Sequence, residues 1–274
     1  AHTIWLLNNS DVKARLNLSR TYLRRMQEHM IGLEALQREQ SLAEPRHSMQ
    51  VSRVGEIRKE LEGVGASTLL SIHAPYAPIS RFDLASESSE IRRHTIRAVT
   101  RCVQLAEEID AGVVNAHLGG IIRVRKDRSF LDPAAKSASL DRARDSLVDI
   151  ANEIEGRNVR LAIENIPYPL EEITRGYSPL IGIFPNDFLR ILGDVGSKHL
   201  GVTIDFCHLW ITHKTLKGLL ASAKEIGSGG AGSSSAYSGL TTYEVNEIES
   251  LAKDPFGAFI ERLCERVFHV HVAD

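Results

Sequence analysis

Residues 201–208 read Gly201-Val202-Thr203-Ile204-Asp205-Phe206-Cys207-His208, and this segment is the best guide to the fold. Apolar Val202 and Ile204 alternate with polar Thr203 and Asp205, which is the pattern of a β-strand with one buried face. A short aliphatic run that ends on a polar residue, with a longer segment after it, recurs along the chain. The runs are Thr3–Leu7, Leu69–His73, Val113–His117, Leu161–Glu164, Val202–Asp205 and Val267–His271.

The segments between these runs have helical periodicity. In Ser89–Ile109 and Ala134–Ile154 the apolar residues recur at helical spacings, and Pro185 begins a third predicted helix. Asp11–Gln40 is predicted to form one long or two shorter helices, and Ser41–Ser48 a loop. Strands that alternate with helices predict βαβ units and a parallel sheet, so the predicted fold class is α/β.

Composition limits the class of protein. The chain has 274 residues and a formal net charge of −2, which gives no general field for nucleic acid. Its three cysteines form no CxxC pair, which favours a reducing compartment. The sequence has no apolar run of membrane-spanning length, and AHTIWLLNNSD at its start is not typical of a signal peptide. We therefore predict a cytoplasmic protein without a membrane segment.

Six predicted strands are fewer than the eight of a closed (β/α)₈ barrel, a fold of roughly 250 residues. We interpret residues 1–274 as one barrel domain that lacks the first strand, before residue 1, and the last strand, after residue 274. The unpaired edges of such a barrel favour association into a homo-oligomer. Gly227–Gly239, with the sequence GSGGAGSSSAYSG, is predicted to be a flexible loop.

Polar residues cluster at the C-terminal ends of the predicted strands, where the active sites of such barrels lie. One histidine at a strand end is more often structural than a ligand, but several such residues together suit a divalent metal. The predicted ligands are His73, His117, Glu164, Asp205, His208 and His271. Asp205 and His208 lie three positions apart across a predicted turn from strand to loop. His269 and Asn115, one layer deeper, are predicted to support the ligands from behind.

Five motifs at these strand ends resemble those of the xylose isomerase-like TIM barrels. They are HAPY (73–76), NAHLGG (115–120), IEN (163–165), GVTIDFCH (201–208) and HVHVAD (269–274). That superfamily includes sugar isomerases and epimerases, inosose dehydratases, and the endonuclease IV group of abasic-site nucleases. The ordered set of motifs is more specific for the superfamily than for any one activity.

The resemblance implies that Glu164, Asp205 and His271 bind zinc, manganese, cobalt or magnesium. By similarity to the isomerases, Glu164 would also transfer a proton and His208 would contact substrate, so both are predicted catalytic residues. In the nuclease group, His73, His117 and His208 would be additional ligands in a three-zinc cluster. The sequence departs from the nuclease signature at Thr203 and Phe206.

Three functions remain open from the sequence. The first is a metal-dependent isomerase or epimerase that acts on a sugar or sugar phosphate. The second is an endonuclease IV-like zinc phosphodiesterase that acts on DNA, and the third is a non-catalytic metal- or sugar-binding subunit. Asn165 and the basic residues Arg123, Arg125 and Lys126 are predicted to bind substrate, although a solvated basic loop is the alternative for the last three.

Overall fold

Strands and helices alternate along the chain in the computed structural model, which describes residues 71–76, 80–108, 110–123, 133–168, 177–227 and 242–271. In chain order the elements are β1 (Ser71–His73), α1 (Ser89–Glu108), β2 (Val113–His117), β3 (Ile121–Arg123), α2 (Pro133–Ile154), β4 (Arg160–Glu164), β5 (Tyr177–Pro179), α3 (Pro185–Val195), β6 (Leu200–Asp205), α4 (Phe206–Gly227), α5 (Thr242–Lys253), α6 (Pro255–Leu263), a 3₁₀ turn (Cys264–Arg266) and β7 (Val267–His271).

The central sheet consists of five parallel strands in the order β1-β2-β4-β6-β7. Its register places His117 beside Glu164, and Asp205 beside His271. Parallel neighbours need a crossover connection, and helices supply each of them. The described part of the chain therefore has an α/β TIM-barrel-like fold, as the sequence predicted.

The hydrophobic core lies between the sheet and the helices. Val114 of β2, Ile163 of β4 and Val202 of β6 belong to it, together with Val103 of α1 and Leu147 of α2. Burial of each of these side chains contributes roughly 1.5–3 kcal/mol. Because side chains alternate along a strand, the residues between these apolar positions face the other side of the sheet, and the predicted alternation is confirmed there.

Helices α1, α2 and α3 lie where the sequence predicted them. Helix α3 begins at Pro185, whose ring suits the first helical turn, and the Asp187 carboxylate accepts a hydrogen bond from the Phe184 backbone N–H (3.4 Å). Its C-terminal cap is Gly196, which adopts a φ of 68° and donates its N–H to the Leu192 carbonyl (3.1 Å). These signals determine where α3 begins and ends, and therefore where β6 can start.

A second, two-stranded sheet was not predicted from the sequence. Strands β3 and β5 pair antiparallel, with Ile122 opposite Ser178. The Leu180 backbone N–H continues this contact by donating to the Gly120 carbonyl (2.9 Å). Strands of three residues have too little alternation to be recognised, so only the pairing itself identifies them.

A β-bulge interrupts the alternation in β7. Thr203 pairs with His269, and the register shifts immediately before this pair, which leaves Phe268 as the additional residue. A Cβ at Gly201 would lie 2.4 Å from Phe268 Cδ2, so the phenyl ring occupies the space on the Thr203 side of the sheet. The Arg160 guanidinium lies 5.1 Å from the centre of the same ring. Phe268 therefore faces the same side of the sheet as Thr203, where regular alternation along β7 would place it on the opposite side.

Helix α4 follows β6 without a connecting residue, because Asp205 ends the strand and Phe206 begins the helix. The predicted turn from strand to loop between Asp205 and His208 is therefore wrong. Gly227, the first residue of the predicted flexible loop, is the last residue of α4. The rest of that loop lies outside the described residues, as do the predictions for Thr3–Leu7, Asp11–Gln40 and Ser41–Ser48.

All described residues belong to one compact unit of the chain. The interpretation of residues 1–274 as one domain without its first and last strands stays a prediction. Within the described ranges, every helix is too short or too polar to pass through a membrane.

Candidate metal centre

The six predicted ligands meet at one rim of the sheet. They are the last residues of the five parallel strands, His73, His117, Glu164, Asp205 and His271, together with His208 in the first turn of α4. Because the strands run in the same direction, their C-terminal ends lie at the same edge. Contacts at this rim and just beneath it join residues that are up to 198 positions apart in the chain.

Glu164 is the centre of the cluster and is 1% exposed. Its Oε2 lies 3.2 Å from His73 Nε2 and 3.4 Å from His117 Nε2. Its Oε1 lies 3.0 Å from His271 Nδ1 and 3.5 Å from His208 Nδ1. One buried carboxylate therefore faces imidazole nitrogens from four different elements.

Asp205 has two separate structural roles, one for each carboxylate oxygen. Oδ1 accepts a hydrogen bond from the His208 backbone N–H (2.8 Å), which caps the N-terminus of α4. Oδ2 lies 3.7 Å from His271 Nδ1 and 3.9 Å from His208 Nδ1. The Asn165 side chain holds the Asp205 backbone, since its Oδ1 accepts from the Asp205 N–H (2.7 Å) and its Nδ2 donates to the Asp205 carbonyl (3.1 Å).

Backbone carbonyls identify the protonated nitrogen in two of the histidines. His73 Nδ1 lies 2.7 Å from the Ala74 oxygen and His208 Nδ1 lies 2.7 Å from the Asn165 oxygen. A carbonyl only accepts, so each Nδ1 donates, and in the neutral ring Nε2 then has only a lone pair. His73 Nε2 nevertheless faces Glu164 Oε2. Two acceptors in contact need a proton or a cation between them, which is how metal ligands are arranged.

Two groups of ligand atoms suit a divalent ion. One contains His73, His117 and Glu164, the other contains Glu164, Asp205 and His271, and the atoms of each group lie within 4.8 Å of one another. His117 Nε2 is buried 3.4 Å from Glu164 Oε2 and makes no well-aligned hydrogen bond within the described residues, so this nitrogen can bind a cation when it carries no proton. Mixed imidazole and carboxylate ligands suit zinc, manganese or cobalt. The residues therefore fit a divalent metal, with Glu164 shared by both groups.

Burial and charge move several pKa values in the cluster. Burial favours protonated Glu164, but the surrounding imidazoles, chiefly those of His117 and His271, outweigh it and hold the Glu164 pKa well below its usual range. Burial opposes the charged form of His73, yet the adjoining Glu164 carboxylate raises the His73 pKa. Burial lowers the pKa of His117 and raises that of Asp205. Glu164 is therefore held as an anion, which is the form that binds a cation.

Asn115 and His269, which the sequence predicts to support the ligands, both contact members of the cluster. Asn115, which is 0% exposed, donates its side-chain N–H to Glu164 Oε2. His269 Nε2 lies 3.4 Å from Ser71 Oγ, and its ring meets that of His271 edge-on at 4.8 Å. Burial lowers the pKa of His269 to about 4, so its ring is neutral near physiological pH. Ser71 and His269 lie on opposite edge strands, and their contact shows that the sheet curves around this interior.

The predicted substrate-binding residues lie in different surroundings. Asn165 is buried and uses both side-chain groups on the Asp205 backbone, a geometry that favours a positioning role over a substrate contact. Arg123 ends β3, while Arg125 and Lys126 lie outside the described residues. A substrate-binding role for these basic residues stays a prediction.

Sequence reasoning missed Asp83, which fixes the turn after His117. Asp83 Oδ1 accepts from the backbone N–H groups of Ala85 (2.8 Å) and Gly120 (2.9 Å). Gly119 has a φ of 77°, and a Cβ there would overlap Asp83 Oδ1, so only glycine fits. The two glycines of NAHLGG were a sequence signal for this tight turn, but the distant carboxylate was not visible.

Tyr76 of the HAPY motif was also not singled out. Its ring lies 4.8 Å from that of His117 and 5.2 Å from that of His73, and the residue is 43% exposed. It therefore forms an aromatic wall on the solvent side of these two histidines.

The sequence profile of the xylose isomerase-like TIM barrel family matches residues 29–274. An uncharacterized protein of Methanocaldococcus jannaschii is 28% identical over 133 residues, which are 48% of this chain and 40% of that protein. This chain therefore spans less than half the length of that relative.

Two solved structures match this chain over more than half of its length. The 3-keto-D-glucoside 4-epimerase YcjR from E. coli has a TM-score of 0.52 and 12% identity, with coverage of 82% of this chain and 66% of that chain. A D-tagatose 3-epimerase-like protein has a TM-score of 0.45 and 22% identity, with coverage of 57% and 51%. At these identities the similarity concerns the fold alone.

Proposed function

This chain belongs to the xylose isomerase-like TIM barrel family, and on that premise we propose that it is a divalent-metal-dependent isomerase or epimerase acting on a sugar or sugar phosphate. The observation that carries the proposal is the convergence of Glu164, Asp205 and His271 at the strand ends. Oxygen-rich sites of this kind suit ions that also bind substrate oxygens. When bound, the ion would supply Lewis acidity to such oxygens and so make a neighbouring C–H group more acidic.

His208 is the residue placed best to move a proton. Its side chain is 21% exposed, whereas that of Glu164 is 2% exposed and surrounded by imidazoles. Its Nδ1 donates to the Asn165 carbonyl, so in the neutral ring Nε2 is the nitrogen that accepts a proton. Asn165 thus orients both His208, through its carbonyl, and Asp205, through its side chain. In this proposal Glu164 is chiefly a metal ligand, and it shares proton transfer with His208.

The test measures metal content and carbon-bound proton exchange separately. The complete protein, loaded with manganese or cobalt, would be incubated in D₂O with a panel of ketoses, aldoses and their phosphates, and deuterium incorporation followed by NMR. Glu164→Gln should lose metal and exchange together, whereas His208→Asn should keep metal and lose exchange. Turnover by Glu164→Gln would refute the role of Glu164, and exchange by His208→Asn at the wild-type rate would refute that of His208.

A second candidate, zinc-dependent phosphodiester hydrolysis, is favoured by the other ligand group. His73 and His117 add two imidazoles to the shared Glu164 carboxylate, and paired ions suit phosphodiester cleavage. Elemental analysis of the purified protein separates the candidates. One ion per chain, retained in His73→Ala, supports the isomerase, whereas two or more, reduced in His73→Ala and His117→Ala, support the hydrolase. Cleavage of abasic-site DNA by the zinc-loaded protein would then replace the first proposal.

A further inference from the structure

Among the described residues, two buried side-chain oxygens next to Glu164 make no hydrogen bond. They are Asn115 Oδ1 and Thr203 Oγ1, and both residues are 0% exposed. Thr203 is the β6 neighbour of Glu164, and Asn115 donates to Glu164 from β2. A buried polar atom that makes no hydrogen bond is costly, and native proteins satisfy nearly all of them. Two such atoms beside one carboxylate therefore indicate a bound polar group.

The orientation of the Asn115 amide is fixed by its neighbour. A carboxylate only accepts, so the Asn115 group in contact with Glu164 Oε2 is the N–H₂ group. Oδ1 must then point elsewhere, and it can only accept. The hydroxyl of Thr203 both donates and accepts, so a molecule that can do both satisfies the two residues together.

Small residues line this side of the sheet between Asn115 and Thr203. Asn115 pairs with Ala162, and Ala162 pairs with Gly201. Ala162 is fully buried but does not belong to the hydrophobic core on the helix side. The Phe268 ring occupies the space in front of Gly201 and, with the Arg160 guanidinium over it, closes the interior from below. Asn115, Thr203 and Glu164 thus supply polar groups to the barrel interior, and Phe268 bounds it toward the N-terminal ends of the strands.

We propose that buried water, hydrogen-bonded to Asn115 Oδ1 and Thr203 Oγ1, lies in the barrel interior beside Glu164 and makes these two residues positioning residues for its carboxylate. Water supplies the donors that Asn115 Oδ1 needs and a partner for the Thr203 hydroxyl. Donation to Oδ1 polarises the amide, so its N–H group donates more strongly to Glu164. The positioning role rests on the proposed metal-binding role of Glu164, whereas the presence of water does not.

Thr203→Val tests the proposal because it replaces the hydroxyl by a methyl group of similar size. If the hydroxyl holds water, the variant leaves that water short of a partner, and Tm should fall by roughly 2 °C, the shift expected for one lost hydrogen bond in a chain of this size. If the hydroxyl has no partner at all, the methyl group is the better side chain there, and Tm should rise. Thr203→Ser keeps the hydroxyl and should restore the hydrogen bond to the water.

Metal affinity and a high-resolution crystal structure complete the test. Cobalt affinity, measured from the visible absorption of the bound ion, should fall about tenfold in Thr203→Val and return in Thr203→Ser. Electron density for water at both atoms, in metal-free crystals, is the expected structural result. A rise in Tm, or a side chain of the protein in contact with both atoms, would overturn the proposal. Water without any cobalt binding would support the water site and reject the proposed metal function instead.

Discussion

Asp205 connects the metal centre to the stability of the fold, and two substitutions separate these contributions. Asp205→Asn keeps a side-chain oxygen that can accept from the His208 N–H but removes the negative charge. Asp205→Ala removes both the cap and the charge. The two variants differ from each other mainly by the hydrogen bond that Asp205 Oδ1 makes at 2.8 Å.

The expected magnitudes follow from the capping bond and from metal linkage. Loss of an Asp cap costs about 1 kcal/mol, with a range of roughly 0.5–2, and Asn caps nearly as well as Asp. When no metal is present, we therefore expect the free energy of unfolding of Asp205→Ala to lie about 1 kcal/mol below that of Asp205→Asn. Metal at a hundred times its Kd should add about 2.7 kcal/mol to the wild-type protein, and less to both variants.

Urea unfolding followed by circular dichroism, with chelator and then with cobalt, gives all six free energies of unfolding. Equal stability of the two variants in chelator would show that the Oδ1 bond does not cap α4 to any measurable extent. Stabilisation of Asp205→Asn by cobalt to the wild-type level would refute Asp205 as a ligand. Either result alone leaves the other role intact, because the two carboxylate oxygens are tested independently.

Three further predictions concern residues outside the metal centre. Burial raises the pKa of Cys102 to about 12 while Cys264 is exposed, so a thiol-reactive disulfide should label Cys264 in the folded protein and Cys102 only after unfolding. Asp83→Ala leaves the Gly120 N–H unpaired and should cost about 1–3 kcal/mol in urea unfolding, whereas Asp83→Asn should stay close to wild type. Phe188→Ala empties a fully buried site and should cost roughly 3–5 kcal/mol by the same assay, and a cost below 1 kcal/mol would contradict its place in the core.

The strand ends were predictable because the signal for them is local. Alternation in a few residues identifies a strand, and the polar residue at its end identifies the rim, so Glu164, Asp205 and His271 could be placed together without coordinates. The cap of α4 had a readable signal as well, since Asp205 directly precedes the apolar run that starts at Phe206. The prediction that a loop follows Asp205 was wrong because this helix signal was not used.

Features that depend on contacts between distant segments were not predictable. The Asp83 carboxylate binds a backbone N–H group 37 residues away, and nothing near Asp83 in the chain indicates this partner. The bulge at Phe268 depends on how its ring packs against Gly201, and alternation alone gives the opposite orientation. The sequence predicts that Asn115 lies one layer deeper than the candidate ligands. It does not predict that Asn115 Oδ1 is unpaired, because this depends on the hydrogen bond that the Asn115 N–H₂ group donates to Glu164.

The direct passage from β6 into α4 restricts where this protein can change over evolution. Barrel enzymes usually acquire new specificity by lengthening the connections that follow their strands. An insertion between Asp205 and Phe206 would separate a predicted metal ligand from the helix that it caps, so this junction should keep its length. The connections after β2 and β4 are longer, and they include the β3–β5 pair beyond Gly120 and Asn165. New substrate contacts should therefore arise in the connections after β2 and β4. The junction between β6 and α4 should stay unchanged.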